Sequence, residues 1–345
     1  TVIEKGSMVM ENKVRVGVIG CGAIGRDHIR RLIGLVPETD VVAVADFVPE
    51  AARKVADQYG AKFYATGEEL IAAPEVDAVL VTSADPSHAG YVLECLKHNK
   101  YVFCEKPLAQ TASDCEKIMQ AELACGKRLV QVGFMRRYDR GYAAMKELIA
   151  GGRLGDPLMI HAAHRNVSQA PGFETDYAIT RVAIHELDIS RWLLGDEYAT
   201  AQVLAVRQSK ATKGEWLNPQ VVMLTTKSGQ RIDIEVQTDG AYAYDIQCQV
   251  VCENGTVNLP DPAAVVTRAD AKYSFDILTD WSQRFIEAYD IEFQQWAKAV
   301  LADHLTGPST WDGYAACVAA DAVMLSRKTG KPENVNMIDK PALYA

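Results

Sequence analysis

The sequence predicts an α/β protein of two domains: a doubly wound parallel sheet, then an α+β domain with an open, largely antiparallel sheet. In the first part of the chain, short apolar runs alternate with helical segments, as in parallel β-α-β units. After about residue 155, β-rich runs follow one another through turn residues without intervening helices, which is typical of antiparallel strands. The length of 345 residues also suits two cores better than one.

Each predicted strand of the first domain is a short apolar run, and helical patterns separate these runs. A glycine ends the second helical segment, PEAARKVADQYG, as a helix stop signal. The strands are VRVGVI (14–19), VVAVAD (41–46), DAVLVTS (77–83), YVFCEK (101–106) and RLVQVGF (128–134), with later helices at about 86–98 and 111–126.

The second domain is predicted from five further β-rich runs and two closing helices. We place the domains at 11–134 and 135–345, with the last helices free to pack back on the first domain. Residues 1–10 contain Gly6-Ser7-Met8 and are interpreted as a cloning remnant or disordered segment outside the fold. The runs are PLMIHAAHRN, AQVLAVRQ, QVVMLTTKSG, QRIDIEVQTDG and DIQCQVVCENG, and the helices lie at about 281–304 and 311–329.

Composition excludes several classes of function. The formal net charge is -9 and no basic run is present, which argues against nucleic-acid or anionic-membrane partners. No apolar stretch approaches the roughly 20 residues of a membrane span, and the start of the chain lacks the pattern of a secretion signal. The eight cysteines are scattered without a CxxC pair, which favours reduced thiols in a cytoplasmic protein and no metal site.

A glycine-rich turn between the first strand and helix predicts a dinucleotide site. Gly20 permits the tight turn, Gly22 lets a pyrophosphate approach the backbone, and Gly25 allows the helix to pack on the strand. The intervening Ala23 and Ile24 open the helix whose N-terminus would face the phosphates. The spacing alone is weak evidence, but the strand–glycines–helix context makes it a candidate Rossmann motif.

The second strand ends in Asp46, at the position where such a motif places an acid. A carboxylate here accepts hydrogen bonds from both ribose hydroxyls and repels a 2′-phosphate, so the predicted cofactor is NAD rather than NADP. Phe47 follows it, and the nearest cation in sequence is Arg53. The alternative is an ordinary solvated Asp in a turn.

Lys106 ends an apolar strand of the parallel sheet, where ligands of such sheets bind. A solvated lysine at the sheet edge is the alternative. Taken with GCGAIG, QVGFMRRYD, AHRN, HELD and WDGY, the segment YVFCEKPLA resembles the family of inositol dehydrogenases and glucose–fructose oxidoreductases. The resemblance runs from about residue 12 to 345 and implies a Rossmann domain, an α+β domain and a homotetramer built through the open sheet.

The resemblance also implies a chemistry: NAD-dependent oxidation of a secondary hydroxyl of a cyclic polyol or sugar. Lys106 would polarise the hydroxyl and His185 would act as the base. The Lys106–Pro107 bond is often cis in this family. The side chains implied at the polyol site are Arg136, His164, Asn166, Tyr244 and Tyr289, and those implied near the cofactor are Thr82, Ser83, His88, Glu105 and Lys106.

These assignments agree with elementary chemistry. A neutral imidazole removes a hydroxyl proton near neutral pH, and an ammonium group stabilises the developing alkoxide. Arg, Asn and Tyr side chains supply the hydrogen bonds that a polyol needs. The alternatives are that His164 is a polar residue on a strand face and that Tyr244 and Tyr289 are aromatic residues at the edge of the core.

Arg181 departs from the family pattern, which has an Asp four residues before the histidine. At that spacing in a helix, Arg181 and His185 would share one face. One reading has Arg181 in the site, lowering the histidine pKa and favouring an acceptor-rich substrate. A second pairs it with Asp176 or Glu174, and a third is a loss of catalysis.

Three functions follow from these readings. The first is an inositol dehydrogenase. The second is a sugar 3-dehydrogenase or a sugar-acid dehydrogenase in which Arg181 has changed the specificity. The third is an NAD-binding sugar sensor without turnover.

Overall fold

The computed structural model describes residues 13–262 and 264–345, so the interpretation of residues 1–10 lies outside the described part of the chain. The chain forms two compact units. The first contains the described residues up to Cys104, together with Ala121–Gln131 and Glu292–Gly307. The second contains Glu105–Gln120, Val132–Ile291 and Pro308–Ala345. No helix among the described residues is both long and apolar enough to cross a membrane.

The parallel sheet has six strands in the order β3-β2-β1-β4-β5-β6, and the described β1–β2, β1–β4, β2–β3 and β4–β5 pairs are parallel. The predicted doubly wound sheet is therefore confirmed. Its strands are β1 (Val14–Ile19), β2 (Thr39–Ala45), β3 (Lys62–Phe63), β4 (Ala78–Val81), β5 (Tyr101–Glu105) and β6 (Val130–Gly133). The helices between them are α1 (Ala23–Gly34), α2 (Pro49–Tyr59), α3 (Gly67–Ala72), α4 (Asp85–Lys97) and α5 (Ala112–Cys125).

The core of the first unit is built on the apolar runs of its strands. Val16, Val18 and Leu80 are fully buried there, as expected for central strands of a sheet covered on both faces. Phe293 and Trp296, from near the end of the chain, belong to the same core. The ring of Phe103 stacks on Phe293 with centroids 4.5 Å apart, a separation typical of favourable aromatic pairs.

The second sheet has seven strands in the order β12-β11-β7-β10-β9-β8-β15. Its pairs are antiparallel except β7–β10, which is parallel, so the predicted, largely antiparallel sheet is confirmed. A long connection through a helix and two strands joins β7 to β10, and such a connection permits parallel pairing. The strands are β7 (Pro157–Arg165), β8 (Tyr198–Leu204), β9 (Gln220–Thr226), β10 (Arg231–Gln237), β11 (Asp245–Cys252), β12 (Gly255–Asn258), the separate hairpin β13 (Val266–Ala269) and β14 (Lys272–Phe275), and β15 (Glu333–Asn334).

The remaining helices include the one that carries His185. A π-helical turn, Ala178–Ala183, leads directly into that helix. The helical segment therefore begins with a turn that is wider than the α-helix expected from sequence. The helix expected at 281–304 is two helices, with a break at Phe285. The helices are α6 (Arg140–Ala150), α7 (Ile184–Leu194), α8 (Trp281–Arg284), α9 (Ile286–Leu301) and α10 (Thr310–Thr329).

Candidate active site

The glycine-rich turn of the first unit has the geometry of a phosphate cradle. Gly20 has φ +105°, which L side chains rarely adopt. A Cβ on Gly25 would lie 2.0 Å from the carbonyl oxygen of Gly20, so only glycine fits there. Around Gly22, by contrast, a Cβ would meet nothing within 4 Å, and its backbone is open to a ligand. No side chain caps the N-terminus of α1, which leaves its N–H groups available to an anion.

Asp46 lies beside this turn. Its carboxylate accepts hydrogen bonds from the backbone N–H of Cys21 at 2.5 Å and of Val48 at 2.7 Å, which ties the end of β2 to the turn. Phe47 is wholly exposed. The turn, the uncapped helix and the acid fit a dinucleotide with an unphosphorylated ribose.

Three further residues implied at the cofactor site support the turn. The hydroxyl of Thr82 donates to the Gly20 carbonyl at 2.8 Å. Ser83 and Ser87 share a hydrogen bond at 2.6 Å, and the Nε2 of His88 lies 3.0 Å from the Ser83 carbonyl. Thr82 and His88 are buried, so they act here as a rigid support for the backbone of the turn.

Lys106 lies in the second unit, directly after β5. Its backbone N–H donates to the carboxylate of Glu105 at 3.1 Å, and its Nζ donates to the backbone carbonyl of Arg181 at 3.5 Å. The Lys106–Pro107 peptide bond is cis, as the family resemblance implies. Hydrogen bonds therefore hold both the backbone N–H and the side-chain Nζ of Lys106, and the residue is only partly buried.

His185 lies in the first turn of α7 and is 7% exposed. Burial, followed by the charges of Lys106, Arg136 and His164, lowers the pKa of His185 well below its ordinary value. The imidazole is therefore neutral at physiological pH. Its Nδ1 is buried without a hydrogen-bond partner among the described residues.

A buried polar cluster in the second unit joins four side chains. Arg136 is 1% exposed and forms an ion pair with Glu186. Its Nη2 lies 3.1 Å from His164 Nδ1, and it also hydrogen-bonds the hydroxyl of Tyr244. The rings of His164 and Tyr244 meet edge to face with centroids 5.6 Å apart, and the His164 ring lies 6.3 Å from that of His185. Arg136 therefore organises neighbouring polar groups from within the fold.

The remaining two polyol-site candidates are also buried or aimed inward. Asn166 follows β7 directly, and its side-chain Oδ1 is buried without a hydrogen-bond partner among the described residues. Tyr289 in α9 is 4% exposed and packs edge to face on Trp281, with centroids 6.0 Å apart. A buried amide oxygen without a partner is costly in water-free surroundings, and a polyol hydroxyl is the kind of donor that would satisfy it.

Arg181 lies inside the π-helical turn, so the four-residue spacing does not place it on the face of His185 by α-helical geometry. Its guanidinium instead covers the ring of Tyr177, with Cζ 3.6 Å from the centroid. Asp176, considered above as its partner, forms an ion pair with Arg327. The pKa of His185 is lowered, as the first reading expects, but burial and the charges of Lys106, Arg136 and His164 lower it.

Sequence reasoning missed Glu186 and Tyr177. Glu186 was visible only as an acid next to the candidate base, in a helix otherwise rich in apolar residues. Among residues 13–262 and 264–345, the structure shows no group of three or more His, Cys, Asp or Glu side chains arranged to hold a metal ion.

Comparison with known proteins matches two parts of the chain to family models. Residues 14–134 match the model of an oxidoreductase family with an NAD-binding Rossmann fold, and residues 146–337 match its C-terminal alpha/beta domain. The chain is 51% identical over 333 residues to inositol 2-dehydrogenase of Burkholderia lata, covering 96% of this chain and 99% of that protein. It is 52% identical over 333 residues to inositol 2-dehydrogenase of Ralstonia nicotianae, with the same coverage.

A solved structure is similarly close. Myo-inositol dehydrogenase from Lactobacillus casei, solved in complex with NAD(H) and myo-inositol, superposes with a TM-score of 0.94 at 38% identity. The match covers 96% of this chain and 100% of that one. With both domains matched, the chain belongs to this oxidoreductase family, whose members join an NAD-binding Rossmann domain to a C-terminal alpha/beta domain.

Proposed function

We propose that this protein is an NAD-dependent dehydrogenase that oxidises one secondary hydroxyl of inositol to the keto-inositol. The observation that carries the proposal is a buried, neutral His185 whose pKa is lowered by burial and by the nearby charge of Lys106, both residues lying in the second unit. The similarity to inositol 2-dehydrogenases over nearly the whole chain supports inositol as the substrate.

The residues of the second unit divide the chemistry between them. NAD, when bound, supplies the hydride acceptor. The ammonium group of Lys106 donates a hydrogen bond to the reacting oxygen and stabilises the negative charge that develops on it. His185 accepts the hydroxyl proton as the C–H hydrogen leaves with its electron pair, so that the carbinol becomes a ketone. The low pKa of His185 keeps this base in its neutral, working form.

The surrounding side chains suit a polyol. His164, Asn166, Tyr244 and Tyr289 offer several hydrogen-bonding groups, and the unpartnered Oδ1 of Asn166 is an acceptor ready for a hydroxyl. Arg136 would act mainly by holding Tyr244 and His164 in place, since it is itself buried.

A second candidate function rests on Arg181. Its backbone carbonyl accepts a hydrogen bond from Lys106 while its guanidinium lies over Tyr177, so the residue that contacts the lysine also carries a permanent positive charge. A sugar acid or another acceptor-rich sugar would gain from such a cation. In this case the protein oxidises a sugar-ring position with the same Lys106 and His185.

The test is an NADH-formation assay with NAD and five substrates: myo-inositol, scyllo-inositol, glucose, a glucoside and glucuronate. We expect the highest kcat/KM with an inositol. Turnover of only the uronate or a pyranose would replace inositol by the second candidate. Tight NAD(H) binding with no turnover of any substrate would point to a sensor and contradict both.

The same panel, run on Arg181→Asp, separates the two enzymatic candidates. If Arg181 selects an acid, this variant should lose at least tenfold in kcat/KM for glucuronate, a change of about 1.4 kcal/mol. If inositol is the substrate, Arg181→Asp should rank the five compounds in the same order as the wild-type protein. Arg327→Asp is the matched control, because its guanidinium pairs with Asp176.

The assembly and location of the protein are further parts of the proposal. Leu158 and Met159 in β7 and Leu204 in β8 are exposed apolar side chains on the second sheet. Such a surface favours self-association, and the family resemblance implies a homotetramer. The scattered cysteines without a CxxC pair favour a cytoplasmic location. Light scattering on the purified protein should give four times the chain mass of 37.8 kDa, and a monomer mass would exclude the tetramer.

A further inference from the structure

Glu186 is the one charged residue in the buried cluster to which neither the sequence motifs nor the proposed reaction gives a role. It follows His185 in α7, is 1% exposed, and binds two other elements of the second unit. One carboxylate oxygen pairs with Arg136, and the other lies 2.9 Å from His164 Nδ1.

The Nδ1 atom of His164 therefore has two neighbours with opposite demands. Arg136 Nη2, at 3.1 Å, can only donate, so it favours an unprotonated Nδ1. An ionised Glu186 can only accept, so it favours a protonated Nδ1. One nitrogen cannot satisfy both, and the choice fixes the tautomer of the ring.

The surroundings favour the carboxylate. Burial opposes ionisation of Glu186, but Arg136 and His164 outweigh it and hold the pKa of this carboxyl below its ordinary value. Burial also lowers the pKa of His164, against the pull of Glu186, so the imidazole carries a single proton. A hydrogen bond from that proton to an anion is charge-assisted, whereas Arg136 already has Glu186 and Tyr244 as partners.

We propose that Glu186 is a positioning residue that holds His164 as the Nδ1–H tautomer, so that Nε2 of His164 is a hydrogen-bond acceptor for a substrate hydroxyl. The inference rests on the proposed function in one respect: the ligand is a polyol with a hydroxyl next to the one that is oxidised. That neighbouring hydroxyl must then donate, so a substrate with an ether or a keto group at this position loses the contact.

The first test reads the tautomer directly. Histidine labelled with ¹⁵N is incorporated into the full-length protein, and long-range ¹H–¹⁵N spectra are recorded without substrate. The chain has seven histidines, so the His164 signals are assigned by their loss in His164→Gln. We expect a protonated Nδ1 and an unprotonated Nε2. The reverse pattern in the wild-type protein would overturn the proposal without any variant of Glu186.

The second test removes the charge. In Glu186→Gln, Arg136 keeps its donors while His164 loses its anionic acceptor, so the proton should move to Nε2. The control is Asp188→Asn, which neutralises another buried carboxylate of α7 that pairs with Arg137. The control should keep the wild-type tautomer of His164. An unchanged tautomer in Glu186→Gln would contradict the proposal.

Kinetics give a third readout. A donor in place of an acceptor at Nε2 should raise the KM for the polyol by about tenfold, the equivalent of one hydrogen bond, while the KM for NAD stays unchanged. Equal increases in both KM values would indicate a general structural effect and count against the proposal. Because the spectra need no turnover, the tautomer can be established even if inositol is not the substrate.

Discussion

Replacing His185 with Gln is expected to lower kcat for polyol oxidation by about 10²–10⁴-fold, the usual contribution of a general base. Glutamine keeps a polar side chain in the buried position, but it cannot take the hydroxyl proton. The measurement is kcat from NADH formation at saturating NAD and polyol. His161→Gln is the matched control, because His161 lies on β7 in the same unit, half exposed, and pairs with Asp233.

The pH dependence of kcat/KM follows from the lowered pKa of His185. The pKa of His185 lies well below the ordinary 6.5, so the base is already neutral at pH 6.5. The acid limb of kcat/KM in the wild-type protein should therefore lie below pH 6.5, with a plateau above it. In His185→Gln this limb should be absent. A limb centred above pH 6.5, or a variant that retains more than a third of the wild-type kcat, would show that another group is the base.

The second large effect is expected for Lys106→Met, with a loss of about 10²–10³-fold in kcat, as for the removal of one oxyanion donor. Methionine fills a similar volume and leaves the polypeptide path after β5 unchanged, but it cannot donate to the reacting oxygen. Lys146→Met is the control. Lys146 is also a partly buried lysine of the second unit that donates to a backbone carbonyl, that of Leu193 at 3.2 Å.

The same variant has an electrostatic signature. The charge of Lys106 is the largest of the charge effects that lower the pKa of His185, after burial. Its removal should therefore raise that pKa and move the acid limb of the residual activity toward higher pH. A loss of activity without any displacement of the limb would indicate that Lys106 lies farther from His185 in solution than in the structure.

Most of the first unit could be predicted from sequence because its signals are local. A buried parallel strand appears in sequence as a continuous apolar run, and the glycine-rich turn predicts that a helix follows the first strand. The hairpin of Val266–Ala269 and Lys272–Phe275 gave no such signal. All eight of its residues are exposed, so no alternation of apolar and polar side chains marks a buried face.

The π-helical turn at Ala178–Ala183 was hidden for a different reason. Its apolar residues are compatible with an ordinary α-helix, and the wider turn depends on its surroundings in the fold. The shared face of Arg181 and His185, expected from α-helical spacing, stays a prediction.

The candidate site shows the same limit. The motifs identified Arg136 and His164 as candidate site residues. The ion pair between Arg136 and Glu186 joins residues 50 positions apart in the chain, so no local pattern predicts it. The sequence gives the charged residues but does not show which of them form ion pairs in the fold. It could not show that Arg136 is buried among its partners, nor that Glu186 connects it to His164.

The contact between Lys106 and position 181 involves the backbone carbonyl of Arg181, and the side chain at that position takes no part in it. Any amino acid that tolerates the π-helical turn can therefore occupy position 181 without removing this support from the lysine. We therefore expect substitutions at position 181 to leave the support of Lys106 in place, whichever of the two candidate substrates the protein oxidises. A side chain at this position is free to vary because the lysine is supported by the polypeptide backbone.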